Sequence, residues 1–179
     1  RAVTTTRAQV GGATLTREVF VSFPDQVLVM RLTADRPGAV SFSASLDSLL
    51  RHGPPAASGR TLVLRGKAPS HVEPSYIRNT PNPVRYDEEG MAFEVHVEVR
   101  LDRGDLTAEG SSLRVEKAQS VTLLLSAATR FNGFDQSPAR PGRDAGALAR
   151  RHLSAASQRS YADLLARHLA DHQSLYRRV

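Results

Sequence analysis

A histidine and a glutamate two residues apart could carry out acid–base or metal chemistry in this sequence. They are His71 and Glu73, in the run Ser-His-Val-Glu-Pro, and such a pair could share a proton or a metal ion. A catalytic zinc ion needs three protein ligands, and this run supplies two. The alternative is an ordinary loop fixed by Pro69 and Pro74. We therefore expect no metal and no cofactor here.

A second histidine pair lies near the end of the chain. His168 and His172 are four residues apart, which is the spacing of a zinc-binding pair on a helix. Leu169 follows the first histidine, where a metalloprotease helix carries a glutamate. We therefore expect core or interface histidines. The serines have no neighbouring His-Asp arrangement and no nucleophile-elbow sequence, so the residues indicate no catalytic site of their own.

Polar residues are concentrated between Lys67 and Gly90. This stretch contains four prolines and no hydrophobic period, and connections of this length are usually functional or disordered. We interpret it as a binding or docking loop, with a solvated loop as the alternative. Its polar cluster consists of Asn79, Asn82, Arg85, Tyr86, Asp87, Glu88 and Glu89.

The run Phe131–Asp135 places two aromatic residues around an Asn-Gly turn. The glycine permits positive φ, and the rings need an apolar surface to contact. Stacking on a sugar is one use for them. Docking against a helical region that follows in the chain is the use that we expect.

Alternating apolar and polar residues predict the strands that would position these side chains. The strand-like runs are Ala13–Phe23, Gln26–Thr33, Val40–Leu46, Thr61–Leu64, Met91–Leu101, Leu113–Val115 and Val121–Ala127. Turn sequences separate the first three runs, which predicts a meander, and Met91–Leu101 alternates regularly enough to predict one solvated face. The predicted fold class is mainly β, an antiparallel β-sandwich followed by a C-terminal α-helical linker.

After residue 135 the sequence pattern becomes helical. Asp144 can cap a helix that runs through Arg151 to about Ala156. From Ser160 onward, apolar and aromatic residues recur at spacings of three and four and form one stripe: Tyr161, Leu164, Leu165, His168, Leu169, His172, Leu175, Tyr176 and Val179. We expect a sandwich domain over residues 1–135 and a linker over 136–179, whose stripe is exposed in this chain and drives self-association.

Composition narrows the possible partners. The net charge is +6 and the pI is about 10.4, but 24 basic and 18 acidic residues are interspersed, which argues against nucleic-acid binding. The sequence has no cysteine, so no disulfide can form. No apolar run approaches the roughly 18 residues of a membrane span, and no leader follows Arg1. We expect a soluble chain truncated at its start.

Six blocks of the sequence resemble, in order, the α-L-fucosidases of glycoside hydrolase family 95. They are TREVFVSFPDQVLVMRL, FSASLDS, GKAPSHVEP, NPVRYDEEGMAF, LLLSAATRFNGFD and YADLLARHLADHQSLYRRV. The resemblance implies that residues 1–135 form the later part of an N-terminal β-super-sandwich. Residues 136–179 would then be the helical linker toward an (α/α)6 barrel.

The resemblance also implies an activity that lies outside this chain. Family members hydrolyse terminal α-L-fucosyl linkages with inversion, and their catalytic carboxylate and assisting asparagines lie in the barrel. No catalytic residue can therefore be assigned here. The implied partners are a fucosylated oligosaccharide, bound by the whole enzyme, and the barrel itself, and the implied location is secreted or periplasmic.

Eight residues are our candidates for contacts with the barrel or with the rim of its sugar site. They are His71, Glu73, Tyr76, Arg85, Tyr86, Asn132, Phe134 and Asp135. An alternative of a different class is a stand-alone carbohydrate-binding or interaction module on the same sandwich. Its binding surface would be the loop between Lys67 and Gly90.

Overall fold

The computed structural model describes residues 2–77, 79–139 and 142–178. Within these ranges, antiparallel strands are followed by two helices. The strands are β1 (Thr4–Val10), β2 (Ala13–Ser22), β3 (Val27–Ala34), β4 (Val40–Ser45), β5 (Arg51–His52), β6 (Ala56–Ser58), β7 (Thr61–Lys67), β8 (His71–Val72), β9 (Val84–Arg85), β10 (Ala92–Asp102), β11 (Asp105–Glu109), β12 (Ser112–Ala118) and β13 (Ser120–Thr129). The helices are α1 (Ala145–Ser157) and α2 (Tyr161–Tyr176).

The large sheet has the order β1-β2-β3-β13-β10-β7-β5, and β6 also pairs with β7. Its centre is the pairing of the two long strands β10 and β13, from Phe93 opposite Thr129 to Asp102 opposite Ser120. A smaller sheet has the order β11-β12-β4, and β8 and β9 form a separate pair. The described residues thus confirm the antiparallel sandwich with a helical C-terminal region.

Strand β13 shows how the large sheet separates two hydrophobic cores. Val121 lies in the core between the two sheets, together with Val99 and Leu113. Leu124 points to the opposite face, where it packs with Phe20 of β2 and with residues of both helices. Because successive side chains of a strand alternate between faces, one strand serves both cores. The molecule therefore has three layers in the order small sheet, large sheet, helices.

The predicted three-strand meander is wrong in its third strand. Strands β2 and β3 are neighbours, as expected, but β4 pairs with β12 in the small sheet, where Phe42 lies opposite Val115. At the intervening turn, Gly38 has a φ of 70° and lies close to the backbone of Lys117. Turn residues predict that a chain reverses or bends, but they do not specify which sheet the next strand joins.

The predicted solvated face of the run Met91–Leu101 is also wrong. This face belongs to β10, and α1 packs over it. His96 is 3% exposed and lies 2.8 Å from Glu94, while Ser157 of α1 donates a hydrogen bond to Glu98. Arg100 donates to the carbonyl of Arg159 at 2.9 Å. Polar side chains occupy this face because the helical region and the sheet itself supply their partners, so polarity here does not indicate contact with water.

Strands β1 and β11 are among those that the sequence pattern did not indicate. All seven residues of β1 are exposed, so its side chains have no reason to alternate in polarity. Most residues of β11 are exposed as well. Both strands are held by backbone pairing to a neighbour, which leaves little trace in the side chains.

Side-chain caps begin both helices where the sequence predicted. Asp144 accepts a hydrogen bond from the backbone N–H of Ala147 at 2.9 Å, and this bond lowers the pKa of the Asp144 carboxyl below its usual value. Ser160 and Asp163 form a reciprocal capping box at the start of α2. Neither described helix has the length and hydrophobicity required to cross a bilayer.

The apolar stripe of α2 is buried over its first half, so the expectation of a fully exposed stripe is wrong. Leu164 is completely buried, and His168 is 5% exposed. The His168 ring stacks on Phe20 at a centroid distance of 4.9 Å, which confirms a core histidine. Farther along, Leu175 and Tyr176 are exposed. Val179, the last residue of the stripe, lies outside the described residues.

Asp25 connects the β2–β3 turn to the helical region. Its side chain is 3% exposed and accepts a 2.7 Å hydrogen bond from the hydroxyl of Ser22. Arg167 of α2 donates to it at 2.9 Å, and Arg159 forms an ion pair with it at 3.2 Å. A buried carboxylate needs such partners to stay charged, so this contact fixes the helices against the sheet.

Replacing Asp25 with Asn should lower the free energy of unfolding by about 2 kcal/mol. Removing one partner of a fully buried ion pair costs roughly 3–5 kcal/mol, and we expect less because both arginine side chains are 41% exposed. Urea denaturation followed by circular dichroism measures the loss. Asp102→Asn, at an exposed strand end, is the control, and equal stability of the two variants would contradict the role of Asp25.

Candidate functional site

The stretch Lys67–Gly90 contains the short pair β8–β9, so part of it is an ordered hairpin. His71 lies opposite Arg85, and the backbone N–H of Ser70 donates to the Arg85 carbonyl at 2.8 Å. The N–H of Glu73 donates to the carbonyl of Pro83 at the same distance. These backbone bonds hold the candidate residues of the hairpin in fixed relative positions.

The structure brings His71 and Glu73 together. The His71 Nε2 and Glu73 Oε1 atoms are 2.9 Å apart, although the contact lacks the geometry of a hydrogen bond. Their side chains are 38% and 24% exposed. In the described part of the chain, no third His, Cys, Asp or Glu completes a metal-binding group with them. The contact therefore places an imidazole nitrogen beside a carboxylate oxygen.

Tyr86 lies in a crevice between this loop and the edge of the large sheet. The crevice has a volume of about 620 Å³, and β5 and β7 form its opposite side. The guanidinium of Arg51 lies 4.2 Å from the centre of the Tyr86 ring, which is a cation–π contact. One face of the ring is therefore occupied by protein. Lining residues from the sheet edge include Arg51, His52, Arg65 and Lys67.

Gly66 allows the floor of this crevice to form. A Cβ atom at this position would lie 2.3 Å from the Phe93 ring and 2.9 Å from the carbonyl oxygen of Arg51. Phe93 is the cross-strand partner of Gly66, so its ring lies across the glycine. Any side chain here would displace either the Phe93 ring or the strand that carries Arg51.

The charges in the crevice are mixed. A hydrogen bond from the Ser70 hydroxyl lowers the pKa of the Asp87 carboxyl, which therefore stays ionised at neutral pH. On the other side, the carbonyl of Gly53 and the carboxylate of Asp47 raise the pKa of His52. The His52 ring contacts these groups through Nδ1 at 2.8 Å and Nε2 at 3.0 Å. Polar ligands with both donors and acceptors match this lining.

The candidates beyond the hairpin are more scattered. Tyr76 is 81% exposed and Phe134 is 99% exposed, and no ring contact or hydrogen bond joins either to the other candidates within the described ranges. Asn132 lies close to Gly142, in front of α1. Asp135 accepts a hydrogen bond from the neighbouring Gln136 at 3.3 Å.

A hydrogen bond connects the loop to the segment after the large sheet. Ser137 donates to Glu89 at 2.6 Å, and Arg143 donates to the carbonyl of Phe131 at 3.1 Å. The end of the sandwich and the start of the helical region therefore adjoin the candidate loop. This proximity is what the docking interpretation of Phe131–Asp135 requires.

Sequence reasoning missed the crevice residues on the sheet edge. Arg51 and His52 belong to a two-residue strand whose position depends on pairing with Lys67 and Gly66. Arg65 reads in sequence as one charged residue at the end of an apolar strand. No local pattern distinguishes these residues, because only the sheet register brings them to Tyr86.

Comparisons with known proteins identify a domain family for this chain. The family model "Glycosyl hydrolase family 65, N-terminal domain" matches residues 1–133. "Alpha-L-fucosidase 2" from Arabidopsis thaliana is 34% identical over 176 residues, which are 95% of this chain and 21% of that protein. The chain thus spans about one fifth of this curated relative. The resemblance to α-L-fucosidases noted in the sequence is confirmed.

A solved structure shares the fold at low sequence identity. It is "Putative kojibiose phosphorylase from human microbiome", with a TM-score of 0.55, 10% identity and coverage of 93% of this chain and 22% of that one. At this identity the likeness concerns the fold alone. The shared fold includes nearly all of this chain.

The pKa values of two histidines should depart from the usual value of 6.5 in opposite directions. The pKa of His52 should lie above it, because the Gly53 carbonyl and Asp47 stabilise the protonated ring. The pKa of His152 should lie below it, because burial disfavours the charged ring and Arg151 and Arg143 repel it. A two-dimensional NMR titration of the imidazole resonances measures both.

Asp47→Asn should lower the pKa of His52 and leave that of His152 unchanged. The raised pKa means that His52 contributes its stabilisation below pH 6.5 and loses it as the pH rises through the folded-state pKa. A His52 that titrates at or below 6.5 in the unaltered chain would show that these contacts do not form.

Proposed function

Because this chain belongs to the family of glycosyl hydrolase family 65 N-terminal domains, we propose that it is the non-catalytic sandwich region of an α-L-fucosidase-like glycoside hydrolase. The whole protein would hydrolyse terminal α-L-fucosyl linkages with inversion. The observation that carries the proposal is the 34% identity to the Arabidopsis α-L-fucosidase, which extends over 95% of this chain. A match of this extent includes both the sandwich and the helices.

We divide the region into a sandwich at 1–135 and a helical linker at 136–179 that leads toward a catalytic (α/α)6 barrel. The contacts of Asp25 with Arg159 and Arg167 support a linker fixed to the sandwich, since they join the two across a buried site. A rigid linker would hold the barrel in one orientation. The resemblance to the family favours a secreted or periplasmic location.

The chemistry of inversion favours a supporting role for the described residues. Inverting hydrolysis needs an acid and a base on opposite sides of the sugar, roughly 6.5–9.5 Å apart. In the crevice, Asp87 and Glu88 are adjacent on one loop and both are exposed. Adjacent carboxylates on one side of a crevice cannot act on two faces of a sugar ring.

The exposed aromatic candidates suit contacts with a further domain. Tyr76 and Phe134 are 81% and 99% exposed, and large apolar groups in this state commonly mark a contact surface. We propose that they contact the barrel. The other six candidates would contact the barrel or the rim of its sugar site. They are His71, Glu73, Arg85, Tyr86, Asn132 and Asp135.

A second candidate function is a carbohydrate-binding module. The crevice of about 620 Å³ favours it, because the crevice has the volume of a small-molecule site and presents a tyrosine among charged groups. The Arg51 guanidinium over Tyr86 argues for the supporting role, because it occupies a ring face that could stack on a sugar.

The 179-residue chain should neither hydrolyse nor bind 2′-fucosyllactose. A fucose-dehydrogenase-coupled assay measures L-fucose release, and isothermal titration calorimetry measures binding. We expect no release above a buffer blank and no saturable heat, because the described residues supply no opposed acid and base. Turnover that persists through purification would overturn the proposal.

Saturable binding in the same titration would favour the module, and two tyrosine variants locate it. Tyr86→Ala removes the ring in the crevice, whereas Tyr176→Ala removes an exposed ring at the end of α2. If the crevice is a sugar site, Tyr86→Ala should weaken binding by about tenfold or more, and Tyr176→Ala should leave binding unchanged.

A further inference from the structure

An open groove of about 640 Å³ lies between α1 and the outer strands of the large sheet. Helix α1 packs over β10 and β13, and β7 extends beyond it. The side of the groove that α1 forms consists of Arg150, Leu153, Ser154 and Ser157. These positions are spaced by three, four and seven residues, so they form one face of the helix.

The floor of the groove is set by the register of β7 with β10. Thr61 lies opposite Glu98, and Val63 lies opposite His96. Their neighbours along the strands belong to the core between the two sheets. Because successive side chains point to opposite faces, these four side chains point to the face on which α1 packs. Val63 and the buried Leu153 give the groove an apolar base between polar sides.

The rim of the groove carries a strong excess of positive charge. Four arginines line it, at positions 60, 65, 100 and 150, and Glu98 is its one carboxylate lining residue among those described. Glu98 already accepts a hydrogen bond from Ser157. Positive side chains in the groove therefore outnumber negative ones, and the carboxylate of Glu98 already has a hydrogen-bond partner.

Two of the four arginines make no hydrogen bond with the described residues, although the charge of Arg150 helps to lower the pKa of the Asp144 carboxyl. Arg65 donates to Glu94 at 3.2 Å, and Arg100 donates to a backbone carbonyl at 2.9 Å. The guanidinium groups of Arg60 and Arg150 make no hydrogen bond or close ion pair with any residue in the described ranges. They come from different elements, the turn before β7 and helix α1, and both face the same groove.

The chemistry of the groove matches an anionic sugar. Guanidinium groups bind carboxylate and sulfate oxygens through paired N–H donors. The apolar base can contact the C–H surface of a sugar ring, while Ser154 and Gln158 offer a hydroxyl and an amide to sugar hydroxyls. The arginines converge on one groove instead of forming a stripe across the surface, which disfavours an extended nucleic acid.

We propose that this groove binds an acidic oligosaccharide, one that carries uronate or sulfate groups. Separate acidic groups of the oligosaccharide pair with Arg60 and Arg150, and a sugar ring lies over Val63. The site is separate from the tyrosine crevice but adjacent to it, since Arg65 lines both. The inference does not depend on fucoside hydrolysis by the whole protein.

Calorimetric titration of the 179-residue chain with trigalacturonate and with a sulfated heparin tetrasaccharide tests the site. We expect saturable binding of at least one of them and none of neutral maltotriose. Arg60→Gln/Arg150→Gln should weaken binding by about tenfold or more, because it removes both unpaired guanidinium groups. Raised salt should weaken binding further.

Arg151→Gln is the matched control for the helix side of the groove. Arg151 is exposed and adjacent to Arg150, but it lies on another face of α1 and does not line the groove. The variant removes the same charge from the same helix, so it should leave binding unchanged. Circular dichroism checks that all variants are folded.

Three results would overturn the proposal. The first is the absence of saturable binding for both acidic oligosaccharides at low salt. The second is equal weakening by Arg151→Gln and the double variant, which would indicate a diffuse effect of net charge. The third is tighter binding of a single-stranded RNA hexamer that the double variant also abolishes, which would assign the groove to nucleic acid.

Discussion

A carboxylate that is almost excluded from water must be supplied with partners by the fold, and Asp25 is the clearest case in this protein. Its partners come from the β2–β3 turn and from two arginines of the helical region. Arg159 is held a second time, through its carbonyl, by Arg100 of the central strand β10. The helical region thus supplies partners to several polar side chains on this face of the sheet, and these contacts fix the third layer of the molecule.

The sequence predicted features with a local physical cause. Asp144 was recognisable as a cap because a side-chain acceptor in front of a helical pattern satisfies free backbone N–H groups. The strand at 91–101 was recognisable from its alternation. The same alternation misled about its environment, since Glu98 and His96 face a helix instead of water. Periodicity identifies the two faces of a strand but not what covers each face.

The features that sequence could not predict depend on register between distant segments. Strand β4 joins the small sheet through pairing with β12, some seventy residues later in the chain. Tyr86 was a candidate from its polar surroundings, whereas its partner Arg51 became apparent only once β5 was paired with β7. The same holds for the arginines of the groove, which are scattered in sequence and come together by the packing of α1 on the sheet.

Strand β1 has one edge paired with β2 and its other edge at the end of the large sheet. An edge of this kind offers amide and carbonyl groups to an extended polypeptide, and the strand that presents it is seven residues long. Threonines and Arg7 make it polar, which lowers its tendency to self-pair into fibrils. The edge can therefore lengthen the sheet by strand addition, while its hydrophilic side chains discourage indiscriminate partners.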